Sequence, residues 1–160
     1  MPKDGFRTAQ LIAFFLPLAL IAGALGSQLL GGLVPCEMCH WQRWPHYAAI
    51  LVAALSFAVP HKPTQMLVVL FAALLIAVSG LIGVFHAGVE YHWWQGITAC
   101  TSEVTHGDPM QMLRDQLSKP IVRCDAAQWE LFGISLAGFN AILSLGGAVA
   151  IFAFAVRRAR

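Results

Sequence analysis

Charge is scarce in this sequence. Asp, Glu, Lys and Arg make up 11% of its 160 residues, less than half of the roughly 25% carried by an ordinary soluble domain. That leaves too little solvated surface for a soluble globule. A hydrophobic content of 58% argues equally against a disordered chain. There is no basic excess either: the formal net charge is +2, so no nucleic acid is expected as a partner. Internal repeats and low-complexity tracts are absent as well. At this length the chain is a single domain, and its expected solvent is the lipid bilayer.

The apolar residues fall into four charge-free stretches, Thr8–Leu30, Trp44–Pro60, Pro63–Val89 and Leu131–Val156. A bilayer needs about 20 apolar residues per helix, so three stretches are comfortable and the second is minimal. Lipid forces backbone groups to pair within each span. The pattern therefore predicts an all-α membrane protein: a four-transmembrane-helix bundle, one integral membrane domain over residues 1–160. The spans fall at about 8–30, 44–60, 63–86 and 132–156, with loops at about 31–43 and 87–131. The first stretch has features of a signal peptide, but its apolar run continues past Ser27 to Val34. That is longer than a usual signal core of about 7–15 residues, and a retained helix is expected.

Lys3, Arg7, Lys62, Arg157, Arg158 and Arg160 share one side of this arrangement with a single acid, Asp4. The long segment before span four sets Arg114, Lys119 and Arg123 against six acids. The bias in Lys and Arg places both termini in the cytoplasm and both longer loops, including the long one between helices three and four, outside. Within that loop, Asp108-Pro109 reads as a helix start and Lys119-Pro120 as its end. Met110, Leu113 and Leu117 would share one face, in either a surface helix or an interfacial one.

All four cysteines, Cys36, Cys39, Cys100 and Cys124, lie in the outward loops. Four cysteines on an oxidising side read as two bridges, with three connectivities open. A structural staple suits Cys100 and Cys124. It suits Cys36-Glu37-Met38-Cys39 poorly, because so small a ring restrains almost no chain; that spacing is typical of thiols that cycle between dithiol and disulfide. Zinc would need a second close pair of ligands, so no metal site is expected. Cys36-x-x-Cys39-His40 also matches a c-type haem attachment. That alternative leaves the other two cysteines unexplained and Arg43 incidental. If the second helix begins near Cys39, its N-terminus and Arg43, one turn on, both stabilise a Cys39 thiolate. A headgroup anchor is the alternative role for Arg43. Pro45 is tolerated if it falls in the first helical turn.

These residues resemble the DsbB family over nearly the whole chain. The likeness lies in Pro35-Cys36-x-x-Cys39, in Gln42-Arg43, in the spacing from Cys100 to Cys124, and in the run from Cys124 through Gln128-Trp129 to Gly133. The resemblance implies a thiol-disulfide oxidoreductase, a protein dithiol:quinone oxidoreductase of the bacterial inner membrane with its cysteine loops in the periplasm. It would reoxidise a periplasmic DsbA-like disulfide donor and pass two electrons to the membrane quinone pool, ubiquinone or menaquinone. Cys100–Cys124 would meet the donor, and Cys36–Cys39 would face the quinone with Arg43 polarising the ring. Cys39, Arg43 and a histidine, either His86 or His92, would bind quinone. Trp41, Trp44, His46 and Phe57 lie near the same slot, while Trp93 and Trp94 read as an interfacial belt.

Overall fold

A computed structural model of the protein describes residues 3–98, 110 and 123–156. Cys100 and the helix expected between Asp108 and Lys119 lie outside the described residues. Four long helices make up the described fold: α1 (Lys3–Leu29), α2 (Glu37–Ala58), α3 (Lys62–Glu90) and α4 (Leu136–Val156). A two-residue hairpin, β1 (Glu130–Leu131) with β2 (Ile134–Ser135), precedes α4. α3 packs broadly on α2 and α4, while α1 closes the ring against α2 and α4 and barely meets α3. Three helices, α1, α3 and α4, are long and apolar enough to cross a membrane. α2 is not among them, because His40, Gln42, Arg43, Pro45 and His46 dilute its first half.

The distribution of side chains is that of a protein in lipid. The interior is built from small residues, Ala9, Ala13, Ala49, Ala53, Ala72 and Ala155, around Val69, Ile76 and Ile151. Large apolar side chains such as Leu51, Leu67, Val149 and Phe152 face outward. Between helices in lipid there is little hydrophobic drive, so close backbone approach and packing do the holding. Gly83 marks one such approach: a Cβ there would meet Ala137 O and Ala141 N at 3.0 Å and Asn140 Nδ2 at 3.1 Å. Gly83→Val should therefore push α3 off α4 and cost about 1–3 kcal/mol. A fall of several degrees in the unfolding midpoint in detergent is expected, and an unchanged midpoint would refute the close packing.

The helix ends differ instructively from the sequence expectation. α2 begins at Glu37, two residues before Cys39, because Cys36 caps it: its Sγ accepts the Cys39 N–H at 3.2 Å. Pro45 consequently lies well inside the helix rather than in its first turn, where it cannot donate to the carbonyl one turn back. α3 runs on to Glu90 and closes with Trp93 N–H on Gly88 O (2.8 Å) and His92 N–H on Val89 O (3.1 Å). His92 takes the left-handed position of this motif, with φ 59°. The hairpin was not expected at all; its turn, Phe132-Gly133, has φ of 53° and 74°, the geometry of a type I′ turn. Ser135 then caps α4, its Oγ accepting the Gly138 N–H at 3.1 Å.

Candidate active site

The cap that starts α2 also starts the site. Cys36 and Cys39 fall on the first turn, with their sulfurs 2.9 Å apart. Cys36 is buried, at 3% exposure, with Met38, Val89 and Cys124 around it and Trp41 and Phe85 beside them. Cys124 reaches this cluster because Gln128 docks its segment: the Gln128 amide donates to Val34 O (2.6 Å) and accepts from Val34 N–H (3.1 Å). A two-point clamp of this kind copies a strand pairing with a single side chain. Arg123 and Asp125 flank Cys124 as a bidentate exposed pair at 2.8 and 2.7 Å, and Arg123 holds the Asp125 carboxyl below its usual range.

Behind the sulfurs runs a buried chain of polar groups from α2, α3 and α4. The Asn140 amide oxygen accepts His46 Nε2–H at 2.9 Å. Asn140 Nδ2 donates to Gln42 Oε1 at 2.8 Å. Gln42 Nε2 donates to His86 Nδ1 at 2.7 Å. His86 therefore carries its proton on Nε2, the nitrogen 3.5 Å from Cys36 Sγ. The Cys36 thiol in turn donates to Cys39. Every donor in this series points toward the Cys39 sulfur, and hydrogen bonds aligned in one sense strengthen each other. Ser79 adds to the core of the network, donating to Gln42 O at 2.7 Å. At the end of α3, Glu90 lies 3.7 Å from His86 Nε2 and accepts a short hydrogen bond from Ser135 Oγ.

The thiol pair is polarised accordingly. Donation from Cys36 holds the Cys39 pKa below the ordinary thiol value, with a smaller pull from Arg43. The same bond, together with burial, pushes the Cys36 thiol up. A lowered pKa keeps Cys39 ionised at pH values where a free thiol is protonated. In the reduced protein, the midpoint of Cys39 alkylation by iodoacetamide should therefore lie below that of a free thiol. Cys36→Ala should move it upward. A midpoint at or above that of a free thiol would contradict the polarised arrangement.

Arg43 is held in place by α1. Its guanidinium donates to Gln28 Oε1 at 2.9 Å and to Ala24 O at 3.2 Å, tying α2 to α1. Cys39, Arg43 and His86 line a small crevice of about 50 Å³ with Cys36 and Glu90. A larger cavity of about 200 Å³ opens beside it between α1, α2 and α4. Cys39, Gln42, Arg43, His46 and Asn140 supply its polar wall, and Ala19, Leu20, Ile21 and Phe139 part of its apolar one. Thus Cys36, Cys39, Arg43, His86 and Cys124 converge. His92 is not brought in: it is exposed at the end of α3 and lines neither space. His40, which would ligate iron in the haem alternative, is also exposed.

Cys36 Sγ, Cys39 Sγ and a His86 ring nitrogen all lie within 4.8 Å of one another, a donor set that suits zinc. The third ligand comes from α3 and was not visible in the spacing of the cysteines. Asn140, Gln28 and the role of Gln42 as a hub were not found from the sequence either. The signal for Asn140 was available, since a polar amide inside an apolar span asks for a function.

An all-helical multi-pass membrane protein with a polarised thiol pair at one end of its bundle belongs among the membrane thiol proteins. The comparison with known families is specific: the family described as disulfide bond formation protein DsbB matches residues 6–154. The chain therefore belongs to the DsbB family. It is 32% identical to a disulfide bond formation protein B of Actinobacillus pleuropneumoniae, over 81% of this chain and 74% of that one. It is 28% identical to one of Dechloromonas aromatica, over 87% and 83%. An uncharacterised protein of Rickettsia prowazekii is 20% identical over 89% and 84%. No solved structure matches.

Proposed function

We propose that this protein is a dithiol:quinone oxidoreductase that reoxidises a DsbA-like periplasmic disulfide donor and delivers the two electrons to ubiquinone or menaquinone. The observation that carries this reading is the adjacency of the polarised Cys36–Cys39 pair to the cavity beside Arg43. Family membership supports the disulfide chemistry. At about 1.5 Å per residue, α2, which ends at Ala58, reaches across a hydrocarbon core of about 30 Å with Cys39 at its outer edge. That length supports four spans in one integral membrane domain over residues 1–160. Lys62 and the terminal basic residues then face the cytoplasm of a bacterial inner membrane, and the cysteine loops face the periplasm.

The cavity suits a quinone head group, with apolar walls and a few convergent polar groups. When bound, a quinone supplies an acceptor for two electrons and two protons. The chain's own cysteines do the rest. A donor thiolate attacks Cys100 of the Cys100–Cys124 disulfide, forming a mixed disulfide and releasing the Cys124 thiolate. The donor's second thiol breaks that bond, frees Cys100 and leaves the donor oxidised. Cys124, packed in the cluster around Cys36, attacks the Cys36 sulfur of the Cys36–Cys39 disulfide and expels Cys39 as thiolate. A low-pKa sulfur leaves fastest. Cys100 then attacks Cys124, restoring their disulfide and leaving Cys36 and Cys39 reduced beside the cavity. Arg43 and the chain from His46 through His86 hold the negative charge on Cys39; His86 acts through Cys36, and His92 has no part.

Anoxic reoxidation tests this reading. Protein reduced at all four cysteines is mixed with ubiquinone-1 or a short-chain menaquinone, then quenched in acid and alkylated. Loss of the alkylatable thiols with quinone present, and only then, is the expected result. Thiols that persist with both quinones would refute it.

A further inference from the structure

In the exchange route above, the single sulfur of Cys124 serves two partners in turn, Cys100 and Cys36. The structure shows how the second position is held. Cys124 is a free thiol with 0% exposure, seated among Cys36, Met38 and Val89. Its own segment has no regular structure to fix it there, since residues 123–129 form neither helix nor strand. The tie comes from Gln128, whose amide donates to Val34 O at 2.6 Å and accepts Val34 N–H at 3.1 Å. Among the described residues, these two hydrogen bonds are what joins the segment to the loop before α2.

Both ends of the tie lie close to the reacting sulfurs. Val34 is two residues from Cys36, and the ring of Pro35 between them fixes its own φ. Gln128 is four residues from Cys124, and its neighbour Trp129 packs on Phe139 of α4 with ring centroids 6.1 Å apart. An amide suits the task because it presents a donor and an acceptor side by side, whereas a carboxylate only accepts and a Lys or Arg side chain only donates. Gln128 and Val34 are exposed, so water can replace both bonds and the tie opens at small cost. Closed, it buries the Cys124 sulfur beside Cys36; open, it releases Cys124 to Cys100.

We propose that Gln128 is the positioning residue for electron transfer between the two cysteine pairs: its paired bonds to the Val34 backbone form a reversible latch that brings Cys124 to Cys36. The inference rests on the exchange route proposed above and adds what controls its internal step. With the latch closed, the Cys124 thiolate attacks Cys36 Sγ and the Cys36–Cys39 bond breaks, with Cys39 leaving as thiolate. The Cys100 thiolate then attacks Cys124 and Cys36 leaves. Two electrons have moved from one pair to the other, and the protons lost by Cys100 and Cys124 are balanced by those that Cys36 and Cys39 take up. Holding two reactants together in this way raises the rate of the step between them.

The test starts from full-length protein reduced at all four cysteines and mixed with ubiquinone-1 under anoxia. Quinone absorbance is followed, and samples quenched in acid are alkylated and mapped by mass spectrometry. The first quinone takes the electrons of Cys36 and Cys39 and needs no latch. The second waits for exchange with Cys100 and Cys124. Gln128→Ala should slow the second phase about tenfold, the loss of two exposed hydrogen bonds. The Cys100 and Cys124 thiols should then outlast those of Cys36 and Cys39, while the first phase changes less than about threefold. Gln128→Met keeps the length of the side chain without its donor and acceptor, and it should behave as Gln128→Ala does. A second phase that is unchanged in Gln128→Ala, or restored in Gln128→Met, overturns the proposal. Equal loss of both phases in both variants makes Gln128 a merely structural residue and overturns it too. Wild type that consumes one quinone and stops overturns the exchange route and the latch together; wild type that consumes none overturns the quinone reading itself.

Discussion

Replacing Cys39 with serine will stop electron delivery to quinone while leaving the donor-facing exchange intact. Cys39 is the terminus toward which His46, Asn140, Gln42, His86 and Cys36 all direct their donors. A serine hydroxyl neither ionises there nor forms a disulfide with Cys36. Removing a nucleophile that works as part of a unit costs most of the rate, so quinone reduction should fall by about 10³-fold or more. Cys100 and Cys124 keep their own chemistry, and a mixed disulfide with a reduced donor should still form. Gel-shift alkylation of the trapped species together with quinone absorbance checks both halves. Normal turnover in Cys39→Ser would sink the scheme.

The second large effect is expected at Arg43. Its fork is held by Gln28 Oε1 and Ala24 O, so its charge is fixed at the cavity wall rather than free in solvent. A fixed donor aimed where charge develops is worth about 10²–10³ in rate when it is removed. Arg43→Ala should reduce quinone turnover by about 10²-fold, raise the alkylation midpoint of Cys39, and change donor exchange at Cys100–Cys124 by less than about threefold. Arg43→Lys should recover only part of the loss, since a point charge cannot satisfy both α1 partners at once. Unchanged quinone kinetics in Arg43→Ala would leave Arg43 with no role beyond tying α2 to α1.

The parts of this protein that follow from local chemistry were legible in its sequence. Long apolar runs predicted α1, α3 and α4, and the C-x-x-C spacing singled out Cys36 and Cys39, which the structure sets side by side. Arg43 was legible because one helical turn separates it from Cys39. The helix start near Cys39 was legible as a condition for a stabilised thiolate, and the structure places it at Glu37, but the Cys36 side-chain cap that fixes it there was not. Spacing from Cys100 favoured His86 over His92 without deciding between them. It turns on where α3 ends: Glu90 is still helical, so His86 stays inside the bundle, while His92 occupies the left-handed position that terminates it. Asn140 and its bond to Gln42 escaped because their meaning is a contact between helices, 98 residues apart in sequence. The hairpin at Glu130–Ser135 was hidden because its turn uses Phe132 at positive φ, where glycine or asparagine is the usual signal.

The most direct measurement is the stoichiometry of turnover. Purified protein in detergent is supplied with a reduced DsbA-like dithiol and ubiquinone-1 under anoxia, and quinone loss and donor disulfide are followed together. The account predicts one quinone consumed for each donor disulfide formed, in wild type and not in Cys39→Ser. Donor oxidation without quinone loss, or quinone loss that persists in Cys39→Ser, would contradict it.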